Sequence, residues 1–151
     1  MIVVTGSCRS GTSMAMQTLG LLGVPIGGEA FHEDFPVISG NPKGYYDIPF
    51  QEIMDGIDVE KYKDKAIKVL GGCILGLTPQ DVSHILVCKR RDTRAQDEST
   101  VKLLRKENQI ETPSKIRKEF LAGCNKLSPA EIKERRRYHY LYIGMFLSQF
   151  K

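Results

Sequence analysis

The sequence predicts an α/β fold in which a small parallel sheet is flanked by helices in three layers. Three apolar runs, at residues 1–5, 65–70 and 84–89, have the length and composition of buried strands. Segments with helical spacing separate and follow these runs, and this alternation is typical of a parallel sheet. A glycine-rich loop at residues 6–13 lies directly between the first strand and an apolar helix. We expect a single domain over residues 1–151, either a minimal form of its fold or one truncated at the C-terminus.

The first half of the chain predicts one strand, one clear helix and a long loop. Residues 1–5 are almost continuously apolar, as expected for a strand covered on both faces. The helix over residues 13–22 ends where glycine and proline follow. Residues 24–44 are rich in glycine and proline and predict a surface loop, a kind of segment that often carries function. Residues 45–48 predict a short strand or an extended turn, and residues 49–57 a short helix.

The second half predicts two more strands and several helices. Residues 65–70 form the second predicted strand, which two glycines close, and residues 79–82 a short helix that begins with proline. The third strand covers residues 84–89. Three helices are predicted after it, at residues 95–108, 113–124 and 129–150. The start of the last helix is the clearest, because Ser128 and Glu131 have the spacing of a capping box.

Composition and charge limit the classes of function. Hydrophobic residues make up 41% of the chain and charged residues 26%, which is ordinary for a globular protein. No stretch approaches the ~20 apolar residues that span a bilayer, so we expect no membrane partner. The four cysteines are far apart and form no C-x-x-C pair, which favours a reducing cytoplasm over a zinc site or a disulfide framework. The net charge of +4 includes basic clusters in the second half, interpreted as solvated helix faces or as a positive field around an anion. They match no nucleic-acid-binding motif, so we expect no nucleic-acid partner.

The loop after the first strand has the composition of a phosphate-binding loop. Its residues are Gly6, Ser7, Cys8, Arg9, Ser10, Gly11, Thr12 and Ser13. Its glycines allow successive backbone N–H groups to point at an anion near a helix N-terminus, where the helix dipole also favours negative charge. The order of strand, loop and helix therefore predicts a P-loop type of fold. However, Thr12 stands where a nucleotide-hydrolysing Walker loop has lysine. Arg9 is the only cation in the loop, and we expect it to bind an anionic oxygen pair with help from the hydroxyls of Thr12 and Ser13.

A second candidate anion site follows the third strand. Arg91 lies at the end of that strand, and Ser99 lies eight residues later in the next predicted helix. Ligands of parallel sheets bind beyond the carboxyl ends of the strands, so both residues are expected on the ligand side.

These two segments together resemble the sulfotransferases that use 3′-phosphoadenosine 5′-phosphosulfate (PAPS), in particular their bacterial and phage-type members. Residues 9–13 match the family's 5′-phosphosulfate loop, [KR]-x-G-T-[ST], and Arg91 with Ser99 matches its 3′-phosphate motif in residue type and spacing. Further likeness lies in three stretches, at residues 5–14, 23–25 and 41–47. The chain departs from the family at Cys8, where proline is usual. It also lacks the additional strand and basic loop that longer members have after their helices.

The resemblance implies a cytoplasmic enzyme that transfers a sulfuryl group from PAPS to a hydroxyl or amine of a small-molecule or glycan acceptor, without a metal. Arg9 would stabilise the bridging oxygen and the leaving phosphate. The loop amides, Thr12 and Ser13 would hold the 5′ end of the donor. The pair of Arg91 and Ser99 would hold its 3′-phosphate.

The resemblance also requires a base that takes the proton of the acceptor. Asp47 is the first candidate, because it lies in the region that follows the loop and the long glycine-rich segment. The other candidates in that region are Glu29, His32 and Glu33. Lys68, in the second strand, is left open between contact with the transferred group and a solvated position.

Two other functions are open at this point. A P-loop small-molecule kinase would need a lysine at the position of Thr12 and an aspartate for magnesium. A non-catalytic nucleotide-binding protein would keep the loop but have no competent base. The residue types leave the identity of the acceptor and the oligomeric state undetermined.

Overall fold

The sheet is parallel, as the sequence predicts, and the first strand is at its centre. The computed structural model describes residues 1–31, 41–107, 122 and 126–150. Within these residues the strands are β1 (Ile2–Gly6), β2 (Ala66–Lys68) and β3 (His84–Cys88). Their order is β2-β1-β3, and both neighbours run parallel to β1. Because β2 and β3 lie on opposite sides of β1, the loop that follows β1 is flanked by the ends of both strands.

Helices surround this sheet in the described part of the chain. They are α1 (Thr12–Leu21), α2 (Phe50–Asp55), α3 (Val59–Tyr62), α4 (Thr93–Glu107) and α5 (Pro129–Leu147). Two 3₁₀ helices, Gly71–Gly76 and Pro79–Asp81, connect β2 to β3. None of the helices in the described residues combines the length and the apolar character that crossing a bilayer requires.

The two faces of the sheet are covered by different helices. Side chains alternate along a strand, so Val3 and Val4 of β1 point to opposite faces. Val3 belongs to a buried cluster that includes Phe146 of α5, and Val4 belongs to a second cluster with Met16 of α1. The sheet thus separates α1 from α5, and its ends remain available for a site.

Several predicted elements differ in extent from the observed ones. The second strand is shorter than predicted, because the chain turns at Gly71, where φ is 38° and the backbone packs against the ring of His139. The short helix at 79–82 is a 3₁₀ helix, and α4 begins at Thr93, two residues before the predicted start. The helix α3 has no counterpart in the sequence prediction; the Asp58 side chain caps it by accepting from the Lys61 N–H. The helix predicted at 113–124 lies outside the described residues, apart from position 122.

The capping box at the start of α5 is confirmed. The Ser128 hydroxyl accepts from the Glu131 N–H at 3.3 Å, and a Glu131 carboxylate oxygen accepts from the Ser128 N–H at 2.6 Å. This reciprocal pair satisfies two N–H groups that a helix start otherwise leaves without partners.

Candidate anion-binding site

The glycine loop (residues 6–13) makes the tight turn that its composition predicts. A Cβ on Gly6 would lie 2.5 Å from the Cys88 carbonyl oxygen, so only glycine fits where β1 approaches the end of β3. Arg9 and Gly11 have positive φ values of 60° and 103°. Gly11 is also the N-cap of α1, and it has no side chain that could cap the N–H groups of the first turn. The positive end of α1 therefore points at the loop without a capping side chain from its N-cap residue, and this arrangement attracts an anion.

Helix α4 holds the loop in place through two side chains. The Gln96 side chain is almost fully buried, with 1% of its surface exposed. Its amide nitrogen donates to the Ser7 hydroxyl at 2.6 Å and to the Cys8 carbonyl at 2.8 Å. One turn further along α4, the Ser99 hydroxyl accepts from Arg9 Nε at 3.0 Å. The loop conformation therefore depends on a helix that begins about 80 residues later in the chain.

The structure brings together some of the predicted anion-binding residues and separates others. Arg9 and Ser99, which the sequence assigned to different ends of the donor, are in direct contact. Arg91 is exposed and is not among the residues that line the cleft described below. The two residues of the predicted 3′-phosphate motif therefore have different surroundings: Arg91 is exposed, whereas Ser99 is in contact with the glycine loop.

A buried ion pair lies beside the loop, on the side of β2. Asp47 and Lys68 face each other in a parallel bridge, so their side chains emerge next to each other. Lys68 Nζ lies 2.7 Å from Asp47 Oδ2, and the two side chains are 3% and 7% exposed. The same ammonium donates to the Tyr45 carbonyl at 2.7 Å and to the Ser13 hydroxyl at 3.1 Å. A second strand thus supplies the cation that the loop lacks at the position of Thr12.

These groups line a cleft of about 650 Å³ that extends from the glycine loop to α5. Five cationic side chains and two acidic ones are among its described lining residues, so the cleft favours an anionic ligand. The cationic residues are Arg9, Lys68, Arg90, Arg135 and Arg136, and the acidic ones are Asp47 and Asp97. Arg136 is paired with Asp97 at 2.7 Å, which ties α5 to α4 across the cleft.

The protonation of two other cleft residues follows from their burial. Burial raises the pKa of the Cys73 thiol, and the nearby Asp47 carboxylate raises it further, so this thiol stays protonated at neutral pH. Burial lowers the pKa of His139, and the charge of Arg135 adds to this effect, so the imidazole is neutral. Among the described residues, His139 Nδ1 has no hydrogen-bond partner. His139 is therefore a neutral imidazole in the cleft, and burial disfavours its protonated form.

The other candidate bases have different placements. Glu29 is exposed and is not among the cleft-lining residues. His32 and Glu33 lie outside the described residues.

Three residues of the site were not assigned a role from the sequence. The sequence leaves the role of Lys68 open, although a lysine inside an otherwise apolar strand indicates that its charge has a partner. Gln96 and His139 were missed. Neither lies in a motif, and both reach the site only because α4 and α5 fold back over the ends of the strands.

No family model, no curated protein and no solved structure matches the chain. The function must therefore be inferred from the geometry and charge of the site.

Proposed function

We propose that this protein is a sulfotransferase of a three-layer P-loop type, which transfers a sulfuryl group from PAPS to a hydroxyl or amine acceptor. The observation that carries the proposal is the contact between the Lys68 ammonium and the Ser13 hydroxyl at the N-terminus of α1. This contact puts the Lys68 ammonium at the point where an anion would meet the glycine loop.

The same contact favours a donor that needs no metal. In a Walker loop the serine or threonine after the lysine binds Mg²⁺ through its hydroxyl. Ser13 has that position in this chain, but its hydroxyl accepts from Lys68 and donates to the Tyr45 carbonyl at 3.1 Å. A divalent cation there would face the repulsion of a buried ammonium. PAPS chemistry requires positive charge but no Mg²⁺, whereas a kinase depends on the metal.

In this proposal the donor is held by the glycine loop and by two arginines. The loop amides, with Thr12 and Ser13, bind the 5′-phosphosulfate. Arg9 stabilises the bridging oxygen of the donor, and its Nε donates to the Ser99 hydroxyl. Arg91, on the β3 side, pairs with the 3′-phosphate.

The transfer itself is an in-line displacement at sulfur. The acceptor oxygen or nitrogen forms a bond to sulfur, and the bond from sulfur to the bridging phosphate oxygen breaks with its electron pair left on the phosphate. The acceptor proton passes to the Asp47 carboxylate. The Lys68 ammonium, 2.7 Å from this carboxylate, stabilises the charge on the transferring group.

Ligand binding tests the donor. We expect adenosine 3′,5′-bisphosphate to raise the melting temperature of the protein and ATP with Mg²⁺ to have a much smaller effect. Stabilisation by ATP with Mg²⁺ alone would contradict the proposal and favour a kinase. If neither nucleotide raises the melting temperature, the protein binds neither donor, and the proposal fails.

Turnover of PAPS tests the base. We expect Asp47→Asn to lower kcat by about 10²-fold or more while binding of the bisphosphate is kept, in line with the loss of a general base. Asp55→Asn, on the exposed end of α2, is the matched control and should leave kcat unchanged. If His139→Gln lowers kcat and Asp47→Asn does not, the imidazole is the base.

A further inference from the structure

We propose that the outer edge of β3 is an interaction surface, and that it pairs in antiparallel orientation with β3 of a second copy of this chain. The resulting symmetric dimer joins two three-stranded sheets into one continuous sheet. The surface is separate from the cleft, because no residue of β3 is among the described residues that line the cleft. The dimer is therefore independent of the proposed function.

The exposure of β3 does not fit its composition. Residues 84–88 have the apolar character of a buried strand, yet Leu86 is 43% exposed and Val87 is 37% exposed. These two side chains lie on opposite faces of the sheet, because successive residues of a strand alternate. In contrast, β2 is completely buried and β1 is buried apart from its first residue. Parallel sheets normally have both faces covered, so the open apolar strand indicates that another surface covers it.

The positions of the helices explain why β3 is exposed. Helix α1 packs mainly on β1 and β2, and α5 packs mainly on β1, on α4 and on the 3₁₀ helix Gly71–Gly76. Among the described elements, the principal contact of β3 is with β1. Both helices are therefore displaced toward the β2 side of the sheet, and the β3 side is left for a partner.

The outer edge of β3 has the properties of a strand that accepts another strand. All five of its residues are in register with β1, without a bulge, and no other strand of the described residues pairs with its outer side. Proteins commonly protect such an edge with lysine, proline or a bulge, and β3 contains none of these. Its outward backbone N–H and C=O groups can therefore form a ladder of hydrogen bonds with an added strand.

A second copy of β3 matches this edge in side chains and in charge. Antiparallel pairing centred on Leu86 uses the whole strand and makes the contact symmetric about a twofold axis. Ile85 then lies opposite Val87 of the second copy, and such β-branched pairs stabilise a sheet. The exposed Lys89, which follows β3, approaches the start of the second strand, which Asp81 precedes. Parallel pairing would instead place Lys89 beside Lys89, so the charges favour the antiparallel dimer.

Sedimentation velocity tests the dimer by measuring the mass of the protein in solution over a range of concentrations. We expect the native chain to dimerise. Leu86→Lys should raise the dissociation constant of the dimer about 100-fold or more, because two ammonium groups would meet at the twofold axis. Leu21→Lys is the matched control, because Leu21 is 89% exposed at the end of α1, and it should leave the dissociation constant unchanged. A monomeric native chain, or an equal dissociation constant in Leu86→Lys, overturns the inference.

Disulfide cross-linking decides the question if Leu86→Lys does not fold. Opposite residues of an antiparallel pair have Cα atoms about 4.5–5.5 Å apart, which a disulfide can span. With diamide as the thiol oxidant, we expect Leu86→Cys to form a covalent dimer in about tenfold higher yield than Leu21→Cys, whose thiol would be more exposed. The native chain gives the background from its own cysteines. Equal yields in the two variants, or a yield in Leu86→Cys no higher than this background, overturn the inference.

Discussion

At the scale of single residues, the ion pair of Asp47 and Lys68 is the most consequential feature of the site. Both side chains are almost completely buried, and burying an isolated charge is costly unless a partner and hydrogen bonds compensate it. Here the ammonium has three oxygen partners: Asp47, the Tyr45 carbonyl and the Ser13 hydroxyl. A charge pair maintained at this cost beside the glycine loop is expected to serve binding or chemistry more than stability.

The contribution of the ion pair to the free energy of unfolding can be tested by removing one of its charges or both. We expect Lys68→Met to lower the free energy of unfolding by about 3–5 kcal/mol, because it leaves the Asp47 carboxylate buried without its cation. Adding Asp47→Asn to this variant should restore at least half of the loss, because no buried charge remains. Urea denaturation at pH 7 measures both effects.

The partly exposed pair of Lys61 and Glu52, at 2.8 Å, provides the control. Lys61→Met should cost no more than about 1 kcal/mol, as is usual for exposed pairs. Equal losses in Lys61→Met and Lys68→Met would show that burial does not set the cost of the Lys68 variant.

At the scale of elements, the glycine loop depends on α4 for its shape. Arg9 has a left-handed conformation that a non-glycine residue adopts only at some cost in free energy. The hydrogen bonds from Gln96 to Ser7 and Cys8 and the bond from Arg9 to Ser99 offset that cost. Preorganisation of the loop amides is therefore a property of β1, α1 and α4 together.

Removing the Gln96 amide tests this dependence. We expect Gln96→Leu to weaken the binding of adenosine 3′,5′-bisphosphate about tenfold, because two hydrogen bonds to the loop are lost. Calorimetric titration measures the affinity. Glu98→Ala, an exposed position of the same helix, should leave it unchanged. An unchanged affinity in Gln96→Leu would mean that the loop keeps its shape without α4.

The packing of α5 on the 3₁₀ helix after β2 makes stability depend on pH. His139 lies against Gly71, and burial lowers its pKa below the usual ~6.5 of the unfolded chain. Below that pH the unfolded state binds a proton at His139 that the folded state does not bind. The contribution of the neutral imidazole to the free energy of unfolding is therefore fully present above pH ~6.5 and is lost as the pH falls.

The difference in unfolding free energy between pH 7.5 and pH 5 measures the contribution of His139. We expect this difference to shrink in His139→Gln and to persist in His84→Gln, because His84 is exposed on β3. An unchanged difference in His139→Gln would assign the pH dependence to other groups.

At the scale of the whole molecule, positive charge is concentrated in the cleft to a degree that the net charge of the chain does not indicate. The chain carries a net charge of +4, yet the described cleft alone is lined by five cations and two carboxylates. Positive charge is thus concentrated where the carboxyl ends of the strands meet the glycine loop. Such a concentration attracts anions and depends on ionic strength.

We therefore expect the affinity for adenosine 3′,5′-bisphosphate to fall roughly fivefold or more between 0.05 and 0.5 M NaCl. Arg90→Gln, at the cleft, should reduce this salt dependence, whereas Arg94→Gln should not. Arg94 lies outside the cleft-lining residues, and its side chain is 91% exposed. An affinity that does not change with salt would contradict a binding mode dominated by charge.

Local patterns in the sequence predicted the elements that depend on neighbouring residues. The apolar run before Gly6, the glycines of the loop and the capping box at Ser128 are each decided within a few residues. These features were therefore predictable, as were the parallel sheet and the helix after the loop. The 3₁₀ helix Gly71–Gly76 after β2 was not predictable, because it depends on Gly71 packing against a helix residue almost 70 positions later.

The sequence alone determined that a glycine loop joins a buried strand to a helix, because backbone conformation and burial follow from local composition. The charge of the site was decided by the folded chain. Parallel pairing brings Asp47 opposite Lys68, 21 residues away, and α4 brings Gln96 to Ser7, 89 residues away. Such contacts arise from the register of strands and the packing of helices, and no short-range pattern encodes them.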